Sequence, residues 1–193
     1  VVASVSDHAT HLAVRRAREY VERGADMVSI LPPYLLSPSA LSVRHHITSV
    51  LDAVPTTPGL VQFAPSQTGT ALDADSLAVM ASLSPNLVQV KVESTPPGRL
   101  IAALREGKGG LTSVVGYAGV QLHDALVRGA IGVQPGCSFV ELYLKFWALW
   151  HDGDERAARA LHRRMLPYLS YWMQSVELIV AAEKRISYLR GWI

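Results

Sequence analysis

One structural phrase is written twice in this chain. Glu22-Arg23-Gly24-Ala25-Asp26-Met27-Val28 and Val127-Arg128-Gly129-Ala130-Ile131-Gly132-Val133 each close an amphipathic segment with Gly-Ala and run into apolar residues. A glycine at such a point ends a helix in the left-handed conformation, and a short apolar run after it reads as a buried strand. A chain that repeats helix, turn and strand in this way is restricted to folds in which strands alternate with helices.

The rest of the sequence extends the alternation. Strand-like runs at Val1 to Val5, Met27 to Leu31, Leu60 to Phe63, Leu87 to Val90, Leu111 to Val115 and Ile131 to Val133 are separated by helix-like segments. In the first of these, Leu12, Val14, Ala17, Tyr20 and Val21 share a face while Arg15, Arg18, Glu19 and Glu22 stay in water. Asp73 or Asp75 serves as cap for a helix near Ser76, and Pro96-Pro97 opens another near Arg99. Six βα units specify an α/β fold with a parallel sheet and right-handed crossovers, closed as a barrel or open and doubly wound.

After Gly136 the strands stop. A helix is expected from Phe139 to Trp150 and a longer one from about Glu155 to Arg190, interrupted at Pro167, with Trp147, Trp150, Tyr168, Tyr171 and Trp172 as packing residues. Arg156, Arg159, Arg163 and Arg164 have the spacing of a solvated helix face. Residues 1–136 and 137–193 are therefore read as one domain, a sheet-bearing part followed by a helical extension.

The chain has 193 residues, enough for one substantial core, and balances 18 basic against 16 acidic residues. That balance gives no support to a nucleic-acid or membrane-surface partner. Cys137 is the single cysteine, which fits a reducing compartment and a cytoplasmic location. No apolar run reaches the roughly 18 residues of a membrane span, and the first residues lack the pattern of a signal peptide.

Among candidate chemical groups, Lys91 stands out because it closes the apolar run Leu87-Val88-Gln89-Val90. Glu93 lies two residues on, which in extended chain puts both side chains on one face. The alternative for Lys91 is a strand-end lysine that snorkels to solvent. Gly116-Tyr117-Ala118-Gly119 and Gln134-Pro135-Gly136 follow the last two strands, where a barrel builds its active face and where some barrels bind phosphate. The seven histidines show no metal-ligand spacing and are read as caps and surface residues, with His8 and His11 too few for a metal site. Cys137 is read as buried and inert.

Several of these motifs together resemble a known family. Val61-Gln62-Phe63-Ala64-Pro65-Ser66-Gln67-Thr68-Gly69, Lys91 in Val90-Lys91-Val92-Glu93 one βα unit later, and Pro32-Pro33-Tyr34 followed by Ser37, Ser39 and His45 or His46 are similar, in order and spacing, to the dihydrodipicolinate synthase and N-acetylneuraminate lyase family. The resemblance implies a (β/α)8 TIM barrel, of which this chain supplies about six units, family strands 3 to 8, and the C-terminal helices. Such barrels typically run to about 250 residues, so the chain is expected to lack two βα units with their Gly-Thr-Thr-Gly-Glu loop and to stop short at its C-terminus. It is then expected to be unstable alone or to associate through unpaired strand edges.

The implied activity is that of a lyase that forms a Schiff base. Lys91 attacks a 2-keto acid such as pyruvate, and the iminium acts as the electron sink, so no cofactor and no metal are needed. The family's relay tyrosines fall at Gln62 and at Leu35, beside Tyr34, and the arginine that holds a dicarboxylate falls at Gln67. Glutamine at position 62 with Lys-x-Glu resembles the branch that dehydrates or cleaves 2-keto-3-deoxy sugar acids. Gln62, Gln67, Gly116 and Gln134 are the expected substrate-binding residues, with Glu93 and Tyr117 as auxiliaries. A small-molecule 2-keto acid is the expected partner and a homo-oligomer, commonly a tetramer, the expected assembly. The alternative is a non-catalytic pseudoenzyme of the same barrel that acts by association.

Overall fold

The structure, a computed structural model, describes residues 1–69, 72–107 and 109–193. In chain order it runs β1 (Val2–Ser4), α1 (Thr10–Glu22), β2 (Met27–Ile30), α2 (Ala40–Asp52), β3 (Gly59–Phe63), α3 (Pro65–Thr68), α4 (Ala74–Leu83), β4 (Leu87–Val92) and α5 (Gly98–Glu106). There follow β5 (Thr112–Val115), a 3₁₀ turn (Tyr117–Gly119), α6 (Leu122–Val127), β6 (Gly132–Val133), α7 (Val140–His151), α8 (Glu155–Trp172) and α9 (Val176–Leu189). The strands form one sheet in chain order, β1 to β6, and the pairs from β1 to β4 are parallel. Parallel neighbours need a long crossover, and each one here carries a helix. Among the described residues this is six strands' worth of a (β/α)8 barrel.

The chain divides into two compact units, residues 1–114 with 125–132 and residues 115–124 with 133–193. In the first, Val28, Ile30, Leu60, Val61, Val90 and Val92 from the strands are buried together with Ile47, Leu51, Leu77, Met80 and Ile101 from the helices. Asp73 caps α4 by accepting from the Ser76 N–H at 2.8 Å, as the sequence suggests. On α1 the residues wholly out of water are Ala13 and Ala17; the larger side chains expected on that face are half-buried.

The duplicated phrase has one geometry. Gly24 has φ +93° and Gly129 φ +110°. In the first copy the Gly24 N–H donates to Val21 O and the Ala25 N–H to Tyr20 O; in the second Gly129 donates to Leu126 O and Ala130 to Ala125 O, all at 2.9–3.0 Å. These are matching Schellman ends, which require a left-handed residue and so select glycine.

In the second unit, Tyr143, Phe146, Ala158, Met165, Leu169 and Trp172 are buried. Here the expected break at Pro167 is not found, because Pro167 lies inside α8. The buried positions Ala158, His162, Met165, Leu169 and Trp172 continue at helical spacing across it, so packing on one side outweighs the hydrogen bond the proline cannot make. The chain breaks instead at 173–175, where Ser175 caps α9 by accepting from the Leu178 N–H at 3.1 Å.

Two further expectations are corrected. His46 and His162 are 1% and 5% exposed, neither caps nor surface residues; each lies on the apolar face of its helix and spends a ring nitrogen on Thr10 Oγ1 or on Gly119 O. Cys137 is exposed, because α7 begins only at Val140 and leaves the cysteine in the preceding turn.

Candidate active site

Strands β3 and β4 bring the first group of candidate residues together. Their register sets Gln62 beside Lys91 and Phe63 beside Val92. Strand β4 runs two residues further than its apolar run suggests, so Lys91 lies within the ladder and on an inner strand, between β3 and β5. The Glu93 N–H donates to Phe63 O at 2.8 Å, which carries the extended backbone one residue past the strand. Side-chain alternation therefore still holds at Glu93, and its carboxyl falls on the Lys91 face.

The result is a three-residue array. Lys91 Nζ lies 3.1 Å from Glu93 Oε1, and Gln62 Nε2 donates to Glu93 Oε2 at 2.7 Å. Glu93 is 6% exposed and the Lys91 side chain 15%. Buried charges persist where they are paired and hydrogen-bonded, and here both carboxylate oxygens are engaged, one by each neighbour. Lys91 is thus no solvent-reaching strand end: its amine is held against a proton acceptor in a largely dry setting.

Gln67 follows from the turn after β3. It lies in α3, one short turn begun by Pro65, and its side chain is exposed. The remaining candidates belong to the second unit. Gly116 is buried and precedes the 3₁₀ turn, in which Tyr117 and Ala118 both have φ 48°. Two successive non-glycine residues in the left-handed region cost about 1–3 kcal/mol each and persist only where their surroundings dictate them. Two helices supply that constraint. The Tyr143 hydroxyl donates to Ala118 O at 2.6 Å, and His162 Nε2–H donates to Gly119 O at 2.8 Å. Burial, with the Glu183 charge as a lesser cause, holds the Tyr143 phenol well above its ordinary range, and burial keeps His162 below the ordinary histidine value. Gln134 follows β6; its N–H donates to Val115 O at 3.0 Å, while its side-chain oxygen is buried without a hydrogen-bond partner among the described residues.

Tyr143, His162 and Glu183 escape a reading of the sequence, since a polar residue on an amphipathic helix carries no mark of the loop it will reach. Among the described residues, no group of three or more His, Cys, Asp or Glu side chains is placed to hold a metal ion. No helix among them is long and apolar enough to cross a membrane.

The profile described as Dihydrodipicolinate synthetase family matches residues 1–192. The chain belongs to that family. Its relatives within the family include the 4-hydroxy-tetrahydrodipicolinate synthase of Synechococcus sp. (strain CC9902), 29% identical over 171 residues, which are 86% of this chain and 55% of the relative. A protein of Methylobacterium radiotolerans named probable 5-dehydro-4-deoxyglucarate dehydratase is also 29% identical, over 175 residues covering 88% of this chain and 56% of that one. Among solved structures, YagE, a prophage protein of E. coli K12 from the same family, solved in complex with pyruvate, superposes with a TM-score of 0.89 at 20% identity, covering 99% of this chain and 65% of its own. The chain spans a little over half the length of these curated relatives.

Proposed function

We propose that this chain carries the Schiff-base chemistry of a lyase acting on a 2-keto acid, with Lys91 as the nucleophile. The array Lys91–Glu93–Gln62 is the observation that supports the reading. Lysine is almost wholly protonated at neutral pH, with an ordinary pKa near 10.4, and attack requires the neutral amine. Glu93, at 3.1 Å, is within the reach demanded of a proton acceptor.

The steps balance without a cofactor. The amine adds to the keto carbon and water leaves, which gives an iminium at C2. Loss of a proton from C3 produces an enamine, and its electron pair then expels the C4 hydroxyl as water in a dehydration. In an aldol cleavage the C4 hydroxyl loses its proton, the C3–C4 bond breaks and its pair flows into the iminium. Glu93 is the residue proposed to receive these protons and, in the dehydration, to return one to the departing C4 hydroxyl; in the cleavage the enamine is reprotonated at C3, and in both routes water then hydrolyses the iminium, releasing the keto acid and freeing the Lys91 amine. Gln62 cannot replace a tyrosine as acid or base; it donates to Glu93 and holds the carboxylate in place, and its remaining amide groups can orient a hydroxyl or a water.

The substrate class we infer is a 2-keto-3-deoxy sugar acid. The Methylobacterium relative is named as a dehydratase of a keto-deoxy sugar acid, which supports this class; that acid, a glucarate, is itself a dicarboxylate, so Gln67, uncharged where the family's arginine would stand, would meet a far carboxylate only through its amide N–H groups. Pyruvate, named with YagE, is the simplest 2-keto acid with which to test it. Gln67, in the same compact unit as Lys91, is proposed to contact substrate.

The test is borohydride trapping with pyruvate, on this chain and on a version extended at both ends, followed by mass spectrometry of the peptides. The reading expects an adduct on Lys91. A folded, extended protein that gives no adduct, or one modified at another lysine, overturns it.

A further inference from the structure

One stripe of α8 is basic. Arg156, Arg159 and Arg163, three and four residues apart, fall on one side of the helix, and with Glu155 and Ala160 they line a hollow of about 480 Å³. A second hollow, of about 420 Å³, shares Arg159 and Arg163 and is bounded on its other side by Val120, Gln121, His123 and Asp124. All of these residues belong to the second unit.

The stripe is poorly compensated within the chain. Among the described residues the side chains of Arg156 and Arg163 have no ion pair or hydrogen bond. Arg159 Nε lies 3.4 Å from His123 Nε2 and its Nη2 3.4 Å from Glu155 Oε1, while the same His123 Nε2 approaches Glu155 Oε1 at 2.9 Å. One ring nitrogen cannot donate to a carboxylate and accept from a guanidinium at once. The shorter contact prevails, and Arg159 is left with a long, exposed pairing to a carboxylate that His123 already engages. Like charges at this spacing destabilise a helix, and Arg156 stands in the first turn of α8, where the helix dipole is already positive. A local conflict of this kind, with no partner in the chain to offset it, marks a place where function is to be sought.

We propose that this face of α8 binds a small molecule with two adjacent phosphoryl groups, a diphosphate, one group in each hollow and Arg159 and Arg163 shared between them. Guanidinium forks match phosphate oxygens two at a time, and hollows of this size suit a metabolite. Asp124 and Glu155 at the margins interrupt the basic surface that a nucleic-acid backbone would need. On binding, Arg159 turns from Glu155 to phosphate, and the carboxylate keeps His123. The proposal stands independently of the Schiff-base reading.

Calorimetric titration of inorganic pyrophosphate into the folded protein, this chain and the version extended at both ends, is the test. Wild type is expected to bind pyrophosphate more tightly than orthophosphate. Arg159→Gln and Arg163→Gln should each weaken pyrophosphate by about tenfold, the worth of one hydrogen bond between charged groups. Arg164→Gln removes the same charge from the same helix outside both hollows and should leave binding unchanged. Arg159, Arg163 and Arg164 are exposed, so these variants are expected to fold, and circular dichroism checks that they do. Arg159→Lys keeps the charge but not the fork; it should fall between wild type and Arg159→Gln, and serves if the latter does not fold. ADP, titrated in parallel, distinguishes the sources: tighter binding than pyrophosphate points to a nucleotide and weaker binding to the inorganic ion, and both uphold the site. No binding by folded wild type at about millimolar pyrophosphate overturns the proposal. So does a loss in Arg164→Gln equal to that in Arg163→Gln, which would be a diffuse effect of charge, and so does a single-stranded oligonucleotide that binds more tightly than either diphosphate. Trapping at Lys91 is read separately, so failure here leaves the Schiff-base reading untouched.

Discussion

In the first unit the polar array stands on the sheet itself: Gln62 and Lys91 are register partners on adjacent strands, and Glu93 follows Lys91 by two residues. In the second, polar side chains reach from helices into loops, Tyr143 from α7 to Ala118, His162 from α8 to Gly119 and Glu183 from α9 to Ser138. The first arrangement needs only the pleat and the register of two adjacent strands, so its geometry is set within the sheet. The second needs helices of particular length and packing to bring each donor or acceptor to a loop far away in the chain. The strand-borne groups are therefore held with little freedom to drift, and the helix-to-loop contacts fix the shape of the loops they reach.

The sharpest way to break this division is to remove the amine. Lys91→Arg should abolish the pyruvate adduct completely while the fold is kept, because a guanidinium leaves a cation against the buried Glu93 but is no nucleophile. Mass spectrometry after borohydride treatment checks the first part and circular dichroism the second. An adduct that survives, displaced to another lysine, would mean that the array is structural and that the two regions do not divide labour in this way.

Glu93→Gln comes next. It keeps the shape of the side chain but removes the proton acceptor, and should lower turnover of a sugar-acid substrate by about 10²–10⁴-fold, the usual worth of a positioned acid or base. Trapping with pyruvate should persist, more slowly. Steady-state kinetics beside trapping separates the cases: equal loss in both assays would assign Glu93 to formation of the imine, and no loss in either would leave it as a partner for a buried cation only.

The same division explains what could be read before the structure was known. The βα succession, the two Gly-Ala helix ends and the Asp73 cap are local, with spacing and residue type fixed by backbone geometry, and all are found. Lys91 and Glu93 were legible as a same-face pair because strand alternation has a period of two. That Gln62 donates to Glu93 depends on the register of β3 against β4, which no local rule supplies. Pro167 misled because proline's local preference lost to an apolar stripe on the opposite side of α8. Cys137, His46 and His162 were misplaced for a related reason: burial is decided by packing partners distant in sequence, and a lone cysteine or histidine says nothing of them.

Acid should act on both units through histidine. Burial lowers the folded-state values of His46 in the first unit and His162 in the second below the ordinary one, and for His162 the backbone bond to Gly119 partly opposes this. The unfolded chain takes up those protons near pH 6.5, the ordinary histidine value, so below about that pH it holds more protons than the folded chain. Stability is then fully present above about 6.5 and falls as pH drops toward the lower folded values. Thermal melts between about pH 7.5 and about pH 5.5 should show a declining Tm. His46→Gln and His162→Gln should each flatten the slope; if neither does, the acid sensitivity belongs to other groups.

The smallest effect sharpens the comparison within the first unit alone, between the two copies of its repeated phrase. Gly24 and Gly129 share the left-handed conformation and the same pair of backbone bonds, yet their surroundings differ. A Cβ at Gly24 would meet nothing within 4 Å, whereas at Gly129 it would lie 2.4 Å from Arg105 Cδ. Gly24→Ala should therefore cost about 1 kcal/mol, the penalty for placing an L-residue at positive φ. Gly129→Ala should cost that plus the displacement of a flexible arginine stem, a further increment of about 0.5 kcal/mol, since a side chain pushed off its rotamer costs of that order. Urea melts with equal m-values would make the difference readable. Equal losses at both sites would mean that Arg105 yields freely and that conformation alone sets the requirement for glycine; a much larger loss at Gly129 would show that the arginine stem is part of the packing that holds the start of β6.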